Sequence, residues 1–303
     1  MTKSLQELDV LSNFLINAIA NDPDVSEPFF RLLLSILLEI EIGRITIRAQ
    51  SVIPGDNPNL RGIRLDVEIM EHLEGNGKSA NCRIFNVEPQ LYADNLPKRN
   101  RFYQAKKDSK QLKSGERNWD MLPDLLMIVI TNFDPFGEDS MVYTFENVCK
   151  EFPDLEYRDG LKFIYFNTTG KLNIQKAKKE LLTYLNNSKI NNVTNDDIAQ
   201  IHQYVNHVKQ SAEVENQYMT LGELIDHGRA EARAEALAEG RAEGRAEGRA
   251  EGRIASLLDI LNDLGSIPEE LQARFQQVDE ETLKKWVKLA AKVDSIDAFL
   301  ESI

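Results

Sequence analysis

Two short strand-like segments on either side of a strong turn signal constrain the fold of this chain more than any other feature. The segments are IRLDV at 63–67 and NVEPQ at 86–90, and the sequence GNGK at 75–78 lies between them. An Asn-Gly pair between apolar segments is typical of a β-hairpin. Asp66 and Glu88 are equally distant from the second glycine of this turn. A hairpin folded there places the two acids opposite each other, with Cβ atoms about 5 Å apart.

The two opposed acids predict a metal site. Carboxylates at such a distance repel each other unless a cation lies between them. Mg²⁺ takes oxygen ligands and needs one or two protein carboxylates, completed by water and phosphate oxygens. Gln90 follows Glu88 by two residues, so both side chains point to the same face of the strand. Isolated acid pairs on neighbouring strands are often solvated surface, so the prediction of a metal-dependent phosphodiester-cleaving enzyme also depends on the segments that follow.

Bulk composition limits the class of protein. A chain of 303 residues, 42% of them hydrophobic, has room for one sizeable domain and an appendage. No apolar run reaches the roughly 18 residues of a membrane span, and the N-terminus lacks signal-peptide features, so we expect a cytoplasmic protein without membrane contact. Cys82 and Cys149 have neither metal-ligand nor disulfide spacing. His202 and His207 are five residues apart, which misses the spacing of a helical ligand pair.

The net charge of −13 argues against diffuse nucleic-acid binding, so any DNA contact has to be local. Residues 97–117 contain eight basic and two acidic side chains. They are predicted to form a helix with Pro97 near its start and Gly115 just past its end. One face is basic and suits a phosphate backbone, and the adjacent face is expected to pack inward. A solvated lysine-rich helix is the alternative, but the position directly after the acidic hairpin favours DNA binding. The basic face comprises Arg99, Tyr103, Lys106, Lys110 and Lys113, and the inward face comprises Phe102, Ala105, Ser109 and Leu112.

The remaining patterns of the N-terminal half predict a compact α/β unit. An amphipathic stripe over 4–19 and an apolar run over 29–40 indicate helices, the second of them buried. Residues 45–53 indicate a strand before the hairpin, and the continuous apolar run at 123–130 is typical of a strand covered on both faces. Further strands are predicted at 141–145 and 161–166, and a further helix at 174–186.

In this order the segments resemble the PD-(D/E)XK nuclease family transposases, the recombination-promoting nuclease (Rpn) group. The resemblance is carried by LLLSILLEI, GIRLDVEI, NVEPQ, LPKRNRFYQAK, QLKSGE and the ITNFDPFG–MVYTF–GLKFIYFNTTG block, over about residues 1–220. It implies a restriction-endonuclease-like core, which is a central mixed sheet flanked by helices, followed by an all-helical C-terminal extension. It also implies endonuclease cleavage of DNA with Mg²⁺ (or Mn²⁺), in proteins linked to recombination, mobile elements and genome defence.

The resemblance also implies roles for individual residues. Asp66 matches the first acid of the motif, Glu88 the second, and Gln90 the position usually held by a lysine. A glutamine can orient a water molecule but cannot act as a base or carry positive charge. Gln90 therefore leaves open a catalytically weakened DNA-binding or regulatory protein on a nuclease fold, whereas the retention of both acids favours the enzyme.

Further residues enter through the same resemblance. The backbone carbonyl of Pro89 is expected to face the metal. Glu39 matches a position where related nucleases sometimes place an additional acid, although Glu41 is also close by. On the helix that follows the motif, a second matching cluster comprises Arg99, Tyr103 and Gln104.

A four-residue repeat, clearest as GRAEGRAEGRAEGR, occupies residues 228–253. As an isolated helix it is marginal, because each glycine costs roughly 1 kcal/mol and like charges recur at i,i+4. Two interpretations stay open: pairing with a partner chain, which makes a homo-oligomer (dimer) through the C-terminal helices, or a semi-rigid spacer. An assembly protein driven by this tail is a third function class. The predicted division is a nuclease-like core at 1–190, a helical extension at 191–227, the spacer at 228–253 and a small helical segment at 254–303, the last with helices at 254–265 and 281–293.

Overall fold

The computed structural model describes residues 3–53, 63–74, 80–112, 114–173 and 175–303. The chain divides into two compact units, the first ending at Thr220 and the second beginning at Leu221.

A six-stranded mixed sheet forms the centre of the first unit, in the order β1-β4-β5-β6-β8-β7. β5, β6 and β8 run parallel, whereas β1, β4 and β7 are antiparallel to their neighbours. β2 and β3 form a separate two-stranded ribbon, and they come between β1 and β4 in the sequence. The α/β class with a central mixed sheet is therefore confirmed. The strands are β1 (Ile45–Ala49), β2 (Val52–Ile53), β3 (Ile63–Arg64), β4 (Val67–His72), β5 (Cys82–Gln90), β6 (Asp124–Thr131), β7 (Val142–Phe145) and β8 (Leu161–Asn167).

Helices cover both faces of this sheet. Four of the helices described here pack on one face around a continuous apolar core, to which Val214 at the start of a fifth helix also contributes, and α3 packs on the other face. The core includes buried side chains of α5, so the first unit extends past the predicted boundary at residue 190. The predicted helix over 4–19 is wrong in its first part: only a single 3-10 turn forms there, and α1 begins after Ser12, whose hydroxyl accepts a hydrogen bond from the Leu15 N–H. The helices of this unit are α1 (Asn13–Asn21), α2 (Ser26–Leu38), α3 (Leu96–Asp108), α4 (Lys176–Asn186) and α5 (Asp196–Lys209).

The hairpin of β4 and β5 has the register that the sequence predicts. Val67 pairs with Val87, and in this and every following pair the two residues are equally distant from residue 77 in the sequence. The predicted turn at 75–78 lies outside the described residues. Asp66 directly precedes β4, in a bend that separates it from β3. Between β1 and β2 the chain turns at Gln50, whose φ is 51° and whose N–H donates to the carbonyl of Asp66.

The faces of α3 differ from the prediction. The helix ends at Asp108, six residues earlier than expected, so Lys110 lies beyond it and Lys113 lies outside the described residues. The predicted inward face is wrong, because Phe102, Ala105 and Ser109 are exposed. The buried positions are instead Leu96, Asn100 and Lys107. Apolar periodicity failed here because the sheet surface beneath α3 is partly acidic and selects polar partners.

The second unit contains a separate helical core. The helices are the C-terminal part of α6 (Ala212–Leu264), with α7 (Glu269–Phe275), α8 (Glu280–Ala290) and α9 (Ile296–Leu300). Leu257, Phe275 and Phe299 are fully buried within it, and Trp286 contacts both phenylalanines. Residues 254–265 are not a separate short helix as predicted: they continue the repeat in one helix, which ends at Leu264 before a glycine with positive φ. The repeat itself is helical and exposed from Gly228 to Arg249.

Alanine substitution of the repeat glycines tests how this helix is stabilised. A Cβ atom added at Gly240, Gly244 or Gly248 meets no other atom within 4 Å. We expect the triple Gly→Ala variant to gain helical signal in circular dichroism and about 1 kcal/mol of helix stability per site.

The same variant separates the two interpretations of the repeat. A spacer keeps its sedimentation behaviour after the substitution. A partner helix that approaches closely at the glycines is displaced by the added methyl groups, and self-association weakens.

Candidate active site

The acidic site lies on the sheet face that α3 covers. Side chains alternate along a strand, so Val67 and Val87 enter the apolar core while Asp66, Glu68 and Glu88 face α3. Val67 and Val87 form the last pair of this ladder, and Asp66 and Glu88 are the adjacent residues on the two segments. The structure therefore brings the two predicted acids together.

The two acids make direct contacts. The backbone N–H of Asp66 donates to Glu88 Oε1 at 3.2 Å, and Asn86 Nδ2 donates to the same oxygen at 3.2 Å. The other carboxylate oxygen of Glu88 lies 3.9 Å from Arg99 Nη2. Glu88 is 4% exposed, whereas Asp66 is partly exposed. The pair thus has a buried member and a member open to solvent.

Burial dominates the electrostatics of this pair. Desolvation, followed by the negative charge of Asp66, raises the pKa of Glu88 to about 7. Hydrogen bonds from Asn86 and from the Asp66 backbone, and the charge of Arg99, oppose this rise. Burial also raises the pKa of Asp66. Near neutral pH the pair therefore holds a proton unless a cation replaces it.

A buried ion pair beside these acids escaped the sequence reasoning. Lys107 has no exposed surface, and its Nζ lies 2.6 Å from Glu68 Oε2. Arg48 Nη1 lies 3.6 Å from the other oxygen of Glu68. Desolvation lowers the pKa of Lys107, while the charges of Glu68, Asp108 and Glu88 oppose that change. Lys107 therefore brings a buried positive charge into the field of Glu88.

One sequence signal could have found Lys107. Arg99, Tyr103 and Lys107 recur every four residues and lie on one side of a helix. Of these, Arg99 contacts Glu88 and also lies over the ring of Tyr103, with its Cζ 5.6 Å from the ring centroid. Asp94 contacts Arg99 at 3.8 Å from the loop before α3. The four-residue spacing that starts at Arg99 identifies this inward face, whereas an apolar stripe does not.

Gln90 and Pro89 lie next to Glu88 in β5. Pro89 is buried, beyond the last residue pair that joins β5 to β4, so its missing N–H removes no bond from that ladder. The amide of Gln90 donates to the carbonyl of Tyr92 at 2.6 Å. In this conformation the side-chain N–H donor of Gln90 is occupied by this hydrogen bond to the backbone. Metal binding by the Pro89 carbonyl stays a prediction.

Glu39 is not part of this cluster. It ends α2 in the left-handed region and pairs with Lys178 of α4 at 3.0 Å, and both helices pack on the opposite face of the sheet. Among the described residues, Asp22, Asp24 and His207 form a group of potential metal ligands that lie close enough together to share an ion. Glu39 therefore does not complete a third carboxylate at the Asp66–Glu88 pair.

The predicted DNA-binding residues of α3 are spread around the helix. Arg99 and Tyr103 face the acidic pair and the sheet, and Gln104 donates to Asp108 within the helix. Lys106 is partly exposed and Lys110 is exposed just after the helix. A continuous basic face through all of these positions, as the sequence predicts, is therefore wrong.

The donor set suits a hard divalent cation. Two carboxylates supply oxygen ligands, which Mg²⁺ and Mn²⁺ prefer. Asn86 Oδ1 is buried and has no hydrogen-bond partner among the described residues, and the same is true of Arg99 Nε. Unpaired buried groups are rare unless water, an ion or a substrate satisfies them. Both atoms belong to residues that contact the Glu88 carboxylate.

Comparisons with protein-family models, with curated proteins and with solved structures found no match for this chain. Membership of the Rpn group stays a prediction, and functional assignment rests on the geometry of the site. In the part of the chain that the structure describes, none of the helices combines the length and the hydropathy of a membrane span.

The raised pKa of Glu88 predicts a pH-dependent stability. The native state holds the Glu88 proton up to about pH 7, whereas the unfolded chain releases it near its ordinary value of 4.5. Native stability is therefore lost as pH rises between these values, by a few kcal/mol at most. Melting temperatures without divalent ions should fall over this range in the wild type and much less in Glu88→Gln.

The matched control is Glu74→Gln, which changes an exposed acid. It should keep the wild-type pH dependence. Added Mg²⁺ should restore stability at high pH in the wild type, because binding to the carboxylates favours the native state. A flat wild-type profile contradicts the assignment of the buried proton to Glu88.

The Glu68–Lys107 pair predicts a large stability effect. Lys107→Met leaves Glu68 buried without its closest partner, which costs about 3–5 kcal/mol. Lys98→Met changes an exposed lysine of the same helix and should have little effect. Denaturant unfolding measures both. The double variant with Lys107→Met and Glu68→Gln should recover much of the loss. If Lys107→Met is as stable as Lys98→Met, the pair has no structural role.

Proposed function

We propose that this chain is a metal-dependent endonuclease that hydrolyses phosphodiester bonds in DNA, built on a restriction-endonuclease-like core of the kind found in the Rpn group. The observation that supports the proposal most is the meeting of Asp66 with a buried Glu88 whose pKa is raised to about 7. A buried carboxylate without a full counter-charge destabilises the fold. Its presence is accounted for if the site binds a cation.

The residues that would hold the metal are Asp66 and Glu88, with the Pro89 carbonyl as an expected further ligand. When bound, Mg²⁺ or Mn²⁺ lowers the pKa of a water molecule and neutralises charge on the phosphate. The Asp66 N–H and the Asn86 side chain hold the Glu88 carboxylate in a fixed orientation through two hydrogen bonds to one of its oxygens. This leaves the second oxygen on the side of Arg99.

Positive charge for the substrate comes from α3. Arg99 has a buried Nε–H without a partner among the described residues and is suited to donate to a phosphate oxygen. Lys107 adds positive charge from inside the protein and is held in place by Glu68. Together they supply the charge that Gln90 lacks. Lys106 and Lys110 add weaker, exposed contacts to the nucleic-acid backbone.

The alternative function is a DNA-binding or regulatory protein with a weakened site, assembled as a dimer through its C-terminal helices. The hydrogen bond from Gln90 to the Tyr92 carbonyl favours this alternative, because it occupies the amide group that would orient water. The two functions differ in turnover, since both allow binding of metal and DNA.

Nicking of supercoiled plasmid DNA distinguishes them. Purified protein should convert the plasmid to the relaxed form with Mg²⁺ or Mn²⁺ and not with a chelator. Glu88→Ala should reduce the rate by at least about 100-fold, because the metal loses its buried ligand. Glu116→Ala removes an exposed acid and should retain the rate. If Glu88→Ala nicks as fast as the wild type, the assignment of the active site to Glu88 is wrong.

Metal binding by calorimetry completes the test. The wild type should bind Mn²⁺ and release protons near neutral pH, because Glu88 must ionise. Asp66→Ala should weaken binding about 10-fold or more. Binding of metal without nicking supports the regulatory alternative.

A further inference from the structure

We infer that an aromatic cavity on the far side of α3 holds an unpaired nucleobase of the DNA strand whose backbone lies at the acidic site. The cavity has a volume of about 400 Å³, inside the range of small-ligand sites. The inference deepens the proposed function and rests on it for the identity of the strand. Its lining includes Arg101, Gln104, Phe136, Phe145, Asn147 and Tyr165.

The walls of the cavity are aromatic and mutually supported. Phe136 contacts Phe145 and Tyr165 with ring centroids 4.9 Å apart in each case, and Phe145 lies 5.7 Å from Tyr165. The hydroxyl of Tyr165 accepts a hydrogen bond from Asn100 of α3 at 3.0 Å. Phe145 is nonetheless 44% exposed. An exposed ring held by other rings is a preformed surface on which a base can stack.

Polar atoms at the cavity suit the edge of a base. Gln104 and Asn147 donate their amide N–H groups to Asp108 and Asp159 respectively. Their amide oxygens are thereby oriented as acceptors, which base N–H groups require. These features favour a flat ligand with polar edges over a purely aliphatic one.

The charge around the cavity fits a phosphate next to the base. Arg101 is exposed and positive. The described lining residues include no carboxylate, and the carboxylates of Asp108 and Asp159 lie behind the amides of Gln104 and Asn147. Arg101 therefore offers a guanidinium to one phosphate next to the base.

The position relative to the acidic site selects a nucleic-acid strand as the occupant. Arg99 contacts Glu88, and Arg101 lies two residues later on nearly the opposite side of the same helix. A strand that passes over a helix about 10–12 Å across follows about half its circumference, roughly 16–19 Å, which corresponds to about five stacked nucleotides at 3.4 Å each. A strand that crosses α3 can therefore reach both sites.

Binding of a fluorescein-labelled oligothymidylate to the full chain in chelator tests the inference without cleavage. Phe145→Ala should weaken binding about 10-fold through the lost stacking, and Phe145→Leu should weaken it similarly while keeping an apolar side chain in the wall. Arg101→Ala should weaken binding and reduce its salt dependence by about one ion. Phe152→Ala and Arg117→Ala, which change an exposed ring and an exposed arginine outside the cavity, should bind as the wild type does.

Several outcomes overturn the inference. An abasic oligonucleotide that binds as tightly as oligothymidylate shows that no base is held. Thymidine monophosphate that binds as tightly as the oligonucleotide indicates a free-nucleotide site instead of a strand site. Equal effects of Phe145→Leu and Phe152→Ala exclude the cavity. Plasmid nicking separates this result from the proposed function: base-dependent binding without nicking supports the cavity alone, and nicking without base-dependent binding supports the acidic site alone.

Discussion

Placing the Glu88 carboxylate inside the protein is the constraint to which the surrounding structure responds. Water stabilises an ionised carboxylate strongly, and a buried one needs hydrogen bonds or positive charge in return. The chain provides two hydrogen bonds to one oxygen and Arg99 beside the other. The bend before β4 matters for the same reason, because it directs the Asp66 N–H toward Glu88. Even so, the pKa of Glu88 stays well above that of an exposed acid, so the compensation is incomplete.

α3 is the clearest response to this constraint. A helix that packs on a sheet normally turns an apolar stripe inward. The inward positions of α3 include Asn100 and Lys107, whereas Phe102 is left exposed. Asn100 donates to Tyr165, and Lys107 pairs with Glu68. The helix is thus positioned largely by polar contacts with the sheet, and apolar contacts at Leu96 and Tyr103 complete its packing.

The sequence predicted the sheet better than the helix that covers it. The register of β4 and β5 followed from the symmetry of the two strands about the turn, and β6 followed from its continuous apolar run. Both signals are local: the first is a turn motif and the second is hydrophobicity. The inward face of α3 could not be found in this way, since its partners Glu68 and Glu88 are acids that only the folded sheet brings beneath it. The prediction that Glu39 joins the metal site failed because of a contact that only the folded chain makes: Glu39 ends α2 in the left-handed region and pairs with Lys178 of α4. The 53-residue length of α6 was also missed, because glycines spaced four apart lower helix propensity without preventing a continuous helix.

The contact between Glu68 and Lys107 joins residues 39 positions apart in the chain. α3 has little apolar surface with which to find its place before β4 and β5 are paired, so we expect it to dock late in folding and to detach early when the protein opens locally. Arg99 and Lys107 leave with it. A nascent or partly opened chain then has an acid pair without the cations of α3, and the complete arrangement of charges forms only when this last helix is seated.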